Sequence, residues 1–292
     1  IRALMRLWRM LGVAALVTFA VVPAAAQGRA GTAAGCPIEP AEFRTCALER
    51  IRTYQPRRTA DGRPDLSGSW NRSVASQNIE AHEASFGMQA GPSLVVDTAD
   101  RRIPYLPWAR DAQTHLADQF ISPLAACLPP GVPRHVYAPG GHEIIQAPET
   151  IVHLLEYAHS YRVIPITDRP HIAPSVRLWQ GDARGRWEGN TLVVDVTNAN
   201  GRAWLDNVGN FVSDALHVTE RFTLVDDDTI LYEARLDDPA VYTRPWTMAF
   251  ALTRNREPGF ELLEQACHEG NRSVEGGRSS GLRLYRGVPP VR

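Results

Sequence analysis

Thr150 to His171 reads TIVHLLEYAHSYRVIPITDRPH. Its β-branched and aromatic content predicts a strand. Successive strand side chains point to opposite faces. Ile151, His153, Leu155, Tyr157, His159 and Tyr161 then share one face, and Val152, Leu154, Glu156, Ala158, Ser160 and Arg162 the other. Each face mixes apolar residues with groups that donate, accept or titrate, whereas a strand with one side in water separates the two kinds. Two mixed faces predict a strand in a closed or stacked sheet, with polar groups turned into a cavity.

The β pattern continues on both sides of this stretch. Glu143–Gln146 precedes it across a short turn, Ala147 to Thr150, that contains Pro148. Val176–Trp179 leads through GDARGRWEGN into Thr191–Thr197, a hairpin signal with a Gly-rich connection. Leu216–Val225, a DDDT turn and Ile230–Asp237 read as a second hairpin, with Leu216, Val218, Glu220, Phe222 and Leu224 on one face. Trp246–Thr253 and Phe260–Cys267 read as a third, around NREPG. Towards the N-terminus, Trp70 falls in the first strand of the main domain and Leu94–Val96 is a short strand. Helical spacing occurs in Pro40–Tyr54 and Trp108–Phe120. Ala75–Gly91 reads as a surface loop, and Pro123–Pro139, with five prolines, as an extended segment.

These elements predict a mainly β fold. An antiparallel meander closes into a barrel or strongly curved sheet, lipocalin-like in shape, with one or two short helices in the N-terminal half. There is no βαβ alternation, dinucleotide fingerprint or fixed repeat. The predicted organisation is a signal peptide over 1–26, a flexible lead and short helix over 27–64, one β domain over 65–270 and a tail over 271–292.

The bulk composition narrows the function. The chain has 292 residues, 44% hydrophobic and 22% charged, with a formal net charge of −1. That supports a sizeable core and argues against nucleic acid, which demands a basic surface. All 31 basic residues are arginine. With no lysine there is no Schiff-base lysine, pyridoxal-phosphate anchor or P-loop lysine, and no organic cofactor is expected. Arg2, Arg6 and Arg9, the apolar run Met10–Val22 and Ala24-Ala25-Ala26 before Gln27 match an export signal. That run is too short for an ordinary transmembrane helix, so a periplasmic or secreted protein without a stable membrane anchor is expected. Four cysteines in such a compartment suggest disulfides in one of three pairings. The favoured one is Cys36–Cys46 as a local loop and Cys127–Cys267 as a long-range staple, tying the Pro-rich segment to the last barrel strand.

Several blocks resemble a group of secreted bacterial proteins common in soil organisms. They are ADGRPDLSGSW, CLPPGVPR, RPHIAPS, QGDARGRWEGNTLVVDVTN, LHVTERF, YTRPWT and ACHEGN, between Ala60 and Asn271. GRWEGNTLVVDVTN is the most specific block, and the region around His135 departs from the group's pattern. The resemblance implies an exported, mainly β single domain and brings no catalytic residues with it.

The chemical candidates therefore come from the residues themselves. His153, Glu156 and His159 invite a metal, but on a strand Glu156 lies opposite the two histidines, so the reading taken is no metal. Glu156, Arg162 and Glu220 are expected to face a common interior, with His171 or His217 at its rim. A carboxylate among apolar neighbours has a raised pKa unless paired, which suits acid–base work. The plainer account is a structural pair such as Glu220 with Arg162. Tyr157, His159, Trp179, Asp195, Trp204 and Trp246 are candidate ligand-lining residues, although core packing explains most of the aromatics. No G-x-S-x-G elbow supports a serine triad. The leading functional reading is an exported barrel that binds a small, partly apolar molecule in an interior polar and aromatic pocket. The alternatives are a cofactor-independent hydrolase, lyase or isomerase in the same pocket, or a structural or interaction module.

Overall fold

The computed structural model describes residues 32–74, 77–85 and 89–288. The signal segment and the first residues of the flexible lead lie outside them. Nine strands form one sheet. In chain order they are β1 (Gly68–Arg72), β2 (His142–Ala147), β3 (Thr150–Leu155), β4 (Ser160–Pro165), β5 (Asp182–Glu188), β6 (Thr191–Thr197), β7 (His217–Asp226), β8 (Thr229–Asp237) and β9 (Trp246–Arg254). The spatial order is β4-β3-β2-β1-β9-β8-β7-β6-β5, with every neighbouring pair antiparallel. The edges β4 and β5 meet where Ile166 bridges Gly185 in parallel, with Thr167 N donating to Gly185 O at 3.1 Å. The sheet is thus a nearly closed, barrel-like meander.

The organising stretch is a hairpin, not one strand. It turns at Tyr157–His159, where Ala158 and His159 take left-handed φ of 54° and 48°. The turn resets the alternation. Ile151, His153 and Leu155 of β3 and Ser160, Arg162 and Ile164 of β4 are all buried. His153 and Arg162 are direct cross-strand partners on the same interior face. His159 is left in the exposed turn, which separates it from His153.

Alternation places Val194, Val196, Val218, Phe222, Tyr232 and Phe250 in one continuous core. β8 and β9 are apolar on both faces, and the second face is covered by α1 (Pro40–Ile51). Phe43 and Ala47 of α1 pack on Leu231, Ala249 and Ala251. Pro40 opens the helix, and the Glu39 carboxylate accepts from Ala41 N and Glu42 N, satisfying amide groups that the first turn leaves unpaired. The outer face of β2–β4 has no such cover and exposes Ile145, Tyr161 and Val163.

Short turns join the strands at one end of the barrel, at Pro148-Glu149, Gly189-Asn190 and Asp227-Asp228. The opposite end carries the long connections. The 73–141 connection holds α2 (Pro107–Gln119) and the Pro-rich segment. It also includes Ala75–Gly91, which is less of a surface loop than expected. Ile79 is fully buried there, and its amide donates to Asp206 Oδ2 at 3.0 Å. Leu94–Val96 is reduced to one bridge, Val95 to Met248.

Both favoured disulfides are present, with Cα separations of 5.8 Å for Cys36–Cys46 and 5.7 Å for Cys127–Cys267. Such bonds fit an oxidising compartment, and no described helix is long and apolar enough to cross a membrane. Cys267 is not in a strand, because the chain has no regular structure from Asn255 to Arg272 apart from turns. The third hairpin is therefore absent, and β9 pairs with β1 instead. Val176–Trp179 is likewise irregular, and the arm before Gly189-Asn190 is the ARGRWE run of β5. The segment after Asn271 carries α3 (Ser273–Ser279), and its Arg283–Leu284 pairs in parallel with Phe120–Ile121 at the end of α2.

Candidate functional site

Some of the nominated residues form two groups on opposite faces of the sheet. Inside, Arg162 of β4 reaches Glu220 of β7 through two bonds, Nη1 to Oε1 at 3.0 Å and Nη2 to Oε2 at 2.5 Å. The Tyr232 hydroxyl donates to Glu220 Oε1 at 2.8 Å. All three are buried. Burial alone would lower the affinity of Arg162 for its proton, but the Glu220 charge and hydrogen bonds more than restore it. This is the expected structural pair.

Glu156 is not part of it. The Tyr157–His159 turn carries Glu156 out of the strand, and its carboxylate accepts from Gly141 N at 2.9 Å and Leu263 N at 3.0 Å. It fastens the turn to its neighbours instead of facing the interior.

Beside the pair lie three histidines. His153 was nominated with a metal in mind; His135 and His142 were not nominated. Their rings are 4.8 Å apart for His135–His153 and 5.4 Å apart for His142–His153. Burial pushes all three towards the neutral form, helped at His135 and His153 by the Arg162 charge and at His142 by Arg72. His142 falls to about 4. Among the described residues, no group of three or more His, Cys, Asp or Glu side chains is placed to hold a metal ion. His142 was legible as the first inward position of the His142, Ile144, Gln146 alternation.

Outside, His171, Asp195 and His217 come together on β5–β7. Asp195 Oδ2 meets His171 Nε2 at 2.8 Å, and Asp195 Oδ1 meets His217 Nε2 at 2.7 Å. His171 Nδ1 meets Asp182 Oδ2 at 2.8 Å, and Arg184 Nη1 donates to Asp182 Oδ1 at 2.8 Å. Both ring nitrogens of His171 thus face a carboxylate oxygen. Asp195 sits opposite Thr219, and His217 is the diagonal neighbour on the same face. Burial works against ionisation of Asp195, yet the hydrogen bonds from His217 and His171 outweigh it and hold its carboxyl below the usual range.

The loop that delivers His171 is pinned at several points. Asn198 Nδ2 donates to Ala173 O at 3.0 Å and Val176 O at 2.9 Å, and Arg184 Nη2 donates to Pro170 O at 3.2 Å. Gly181 ends the loop with φ +67°, and a Cβ there would stand 2.6 Å from Thr197 O. Position 181 therefore demands glycine on both backbone and steric grounds. His217 keeps its side chain 44% exposed, and its Nδ1 has no hydrogen-bond partner among the described residues.

The nominated aromatics do not line a common cavity. Trp204 and Trp246 are buried in the core. The Tyr157 hydroxyl donates to Leu124 O at 3.3 Å, Trp179 is half-buried in the 166–181 loop, and His159 is exposed in its turn. A groove of about 1050 Å³ lies elsewhere, between α2 and the C-terminal segment. Trp108, Phe120, Phe211 and Tyr285 line it, with Arg278, Arg283 and Arg286 among its polar groups. Reading the 271–292 region as a tail hid it, because half the lining comes from there.

No protein-family model matches this chain, and no curated protein is significantly similar to it.

Two outcomes are expected for the interior. Glu220→Gln leaves the Arg162 charge buried without its partner and should cost about 3–5 kcal/mol in urea unfolding. The double replacement Arg162→Met with Glu220→Leu should cost less than that single change; a greater cost would show that the pair stabilises the barrel outright. The histidines give a pH dependence. The unfolded chain takes up their protons near pH ~6.5, and the folded chain resists protonation well below that. Stability should therefore be full above pH ~6.5 and fall on acidification by roughly 1.4 kcal/mol per pH unit for each histidine. His142→Gln should flatten this slope between pH 6.5 and about 4. An unchanged slope would show that His142 protonates freely in the fold.

Proposed function

We propose that this protein is exported and binds a small, partly apolar molecule, and that the groove beside α2 receives it. The groove's lining carries this reading. Trp108 and Phe120 offer aromatic surface around a space of about 1050 Å³, with Phe211 packed behind them, and concave, mainly apolar sites of this order suit small ligands. In the barrel interior, Tyr232 packs in tilted contact with Phe222 and with Phe250, each at a centroid distance of 4.9 Å. A binder built this way keeps the barrel as a rigid frame and places its ligand outside it.

The test is a thermal-shift screen of small aromatic and aliphatic molecules against the wild type and Ala112→Trp, which adds a large ring to the groove wall. Ligands that raise the wild-type Tm should leave the variant's unmoved, while its unliganded far-ultraviolet circular dichroism stays that of the wild type. Ligands that shift both proteins equally bind elsewhere, and the groove then loses its role.

A second reading, cofactor-independent acid–base catalysis, is favoured by the Asp182–His171–Asp195–His217 chain. Asp195 orients His217 through Nε2 at 2.7 Å, leaving Nδ1 free to take a proton from water or substrate. Activity on a panel of esters, lactones and glycosides should fall about 100-fold or more in His217→Gln and in Asp195→Asn. Full turnover in both folded variants would end this reading.

A further inference from the structure

The polar members of the α2 groove narrow its ligand further, on the premise that the groove is the binding site. We propose that it selects a carboxylate: a small organic acid whose apolar, preferably aromatic, body lies on Trp108 and Phe120. Arg278, Arg283 and Arg286 all face the groove, and none has a carboxylate partner among the described residues. All three are exposed, in contrast to half-buried arginines such as Arg44, Arg101 and Arg110, which pair with Glu233, Glu39 and Glu80. One acidic residue, Asp111, also faces the groove, so guanidinium groups outnumber carboxylates there by three to one. Arg283 is further positioned over the Phe120 ring, 4.7 Å from its centroid, an arrangement that holds the cation at the edge of the apolar surface.

Tyr285 supplies the independent observation. Its side chain lines the groove and is only 3% exposed, yet its hydroxyl has no hydrogen-bond partner among the described residues. The ring is fixed by Phe120 at 5.7 Å and Trp204 at 5.6 Å. A buried hydroxyl without a partner is costly, and because this one is closed to solvent, an acceptor oxygen on a ligand removes that cost once the groove wall moves aside. Guanidinium and phenol groups together donate to an oxyanion, with the arginine fork matched to a planar carboxylate. A monoanion is favoured over a dianion because the apolar floor desolvates whatever charge enters.

Calorimetry with naphthoate, naphthamide and naphthyl phosphate tests this on the purified protein. Naphthoate should bind about 10–100-fold more tightly than the neutral amide. Arg283→Gln combined with Arg286→Gln should erase most of that preference, weakening naphthoate far more than naphthamide. Tyr285→Phe, which keeps the ring packing, should weaken naphthoate alone. Equal binding of acid and amide by the wild type overturns carboxylate selection and leaves the groove as an apolar binding site. Tighter binding of naphthyl phosphate overturns the monoanion. No binding of any of the three overturns both the selection and the groove reading.

Discussion

The pairing of Arg162 with Glu220 ties closure of the barrel to the burial of two charges. Strands β4 and β5 are the edges of the sheet and share little backbone pairing, a bridge from Ile166 to Gly185. Arg162 stands on the edge strand β4, and Glu220 stands on β7, beyond the seam. Their two hydrogen bonds tie the β4 margin through the interior to a strand two in from the β5 margin, across a seam where the backbone ladder does little. Both charges are almost completely removed from water. At that burial neither group survives alone, so forming the pair and closing the sheet are one event. Tyr232 takes part by donating to the same carboxylate, and the neighbouring histidines stay neutral in the field of Arg162.

β7 shows how one strand serves two chemistries. His217 faces outward and Glu220 inward, and each has a carboxylate–cation or carboxylate–imidazole partner on its own side. They are three positions apart, an odd step, and a strand's period of two does the rest. The sheet thus insulates a dry structural ion pair from a half-exposed histidine pair. The burial costs borne by the first do not apply to the second, where solvent reaches His217.

Much of this was legible in the chain. The alternation in LHVTERFTLV put Leu216, Val218, Glu220 and Phe222 on one face, and both the hairpin and the Glu220–Arg162 pair follow from it. Cysteine count and compartment led to the correct disulfides. The failures have physical causes. The stretch from Ile151 to Ile164 reads as one strand because nothing in EYAHS announces a turn; Ala158 and His159 adopt a left-handed conformation that carries no glycine signature. Phase is lost at such a point, and Glu156 was assigned to the wrong face. His171 and His217 were nominated at a pocket rim, and their meeting on Asp195 could not be seen because it is set by how the 166–181 loop returns to the sheet. The groove was invisible for a similar reason. It joins α2 to residues more than a hundred and fifty positions later, and the partner segment has a composition rich in Gly, Arg and Ser that gives no periodic signal.

The strand count has a consequence of its own. Around a ring, antiparallel neighbours must alternate in direction, and alternation closes on itself only when the number of strands is even. With nine, the first and last strands run the same way, so one junction has to be parallel. Parallel neighbours that follow one another in sequence cannot be joined by a tight turn; the chain must travel the length of the barrel before it re-enters. Here that journey is the 166–181 segment, and His171 is aboard it. The parity of the sheet therefore obliges the protein to lay a long strap along its outer wall, and the imidazole it carries lands beside Asp182 and Asp195. An even-stranded relative of this meander could close with a two-residue turn at the same place and would have no such strap to bring a histidine there.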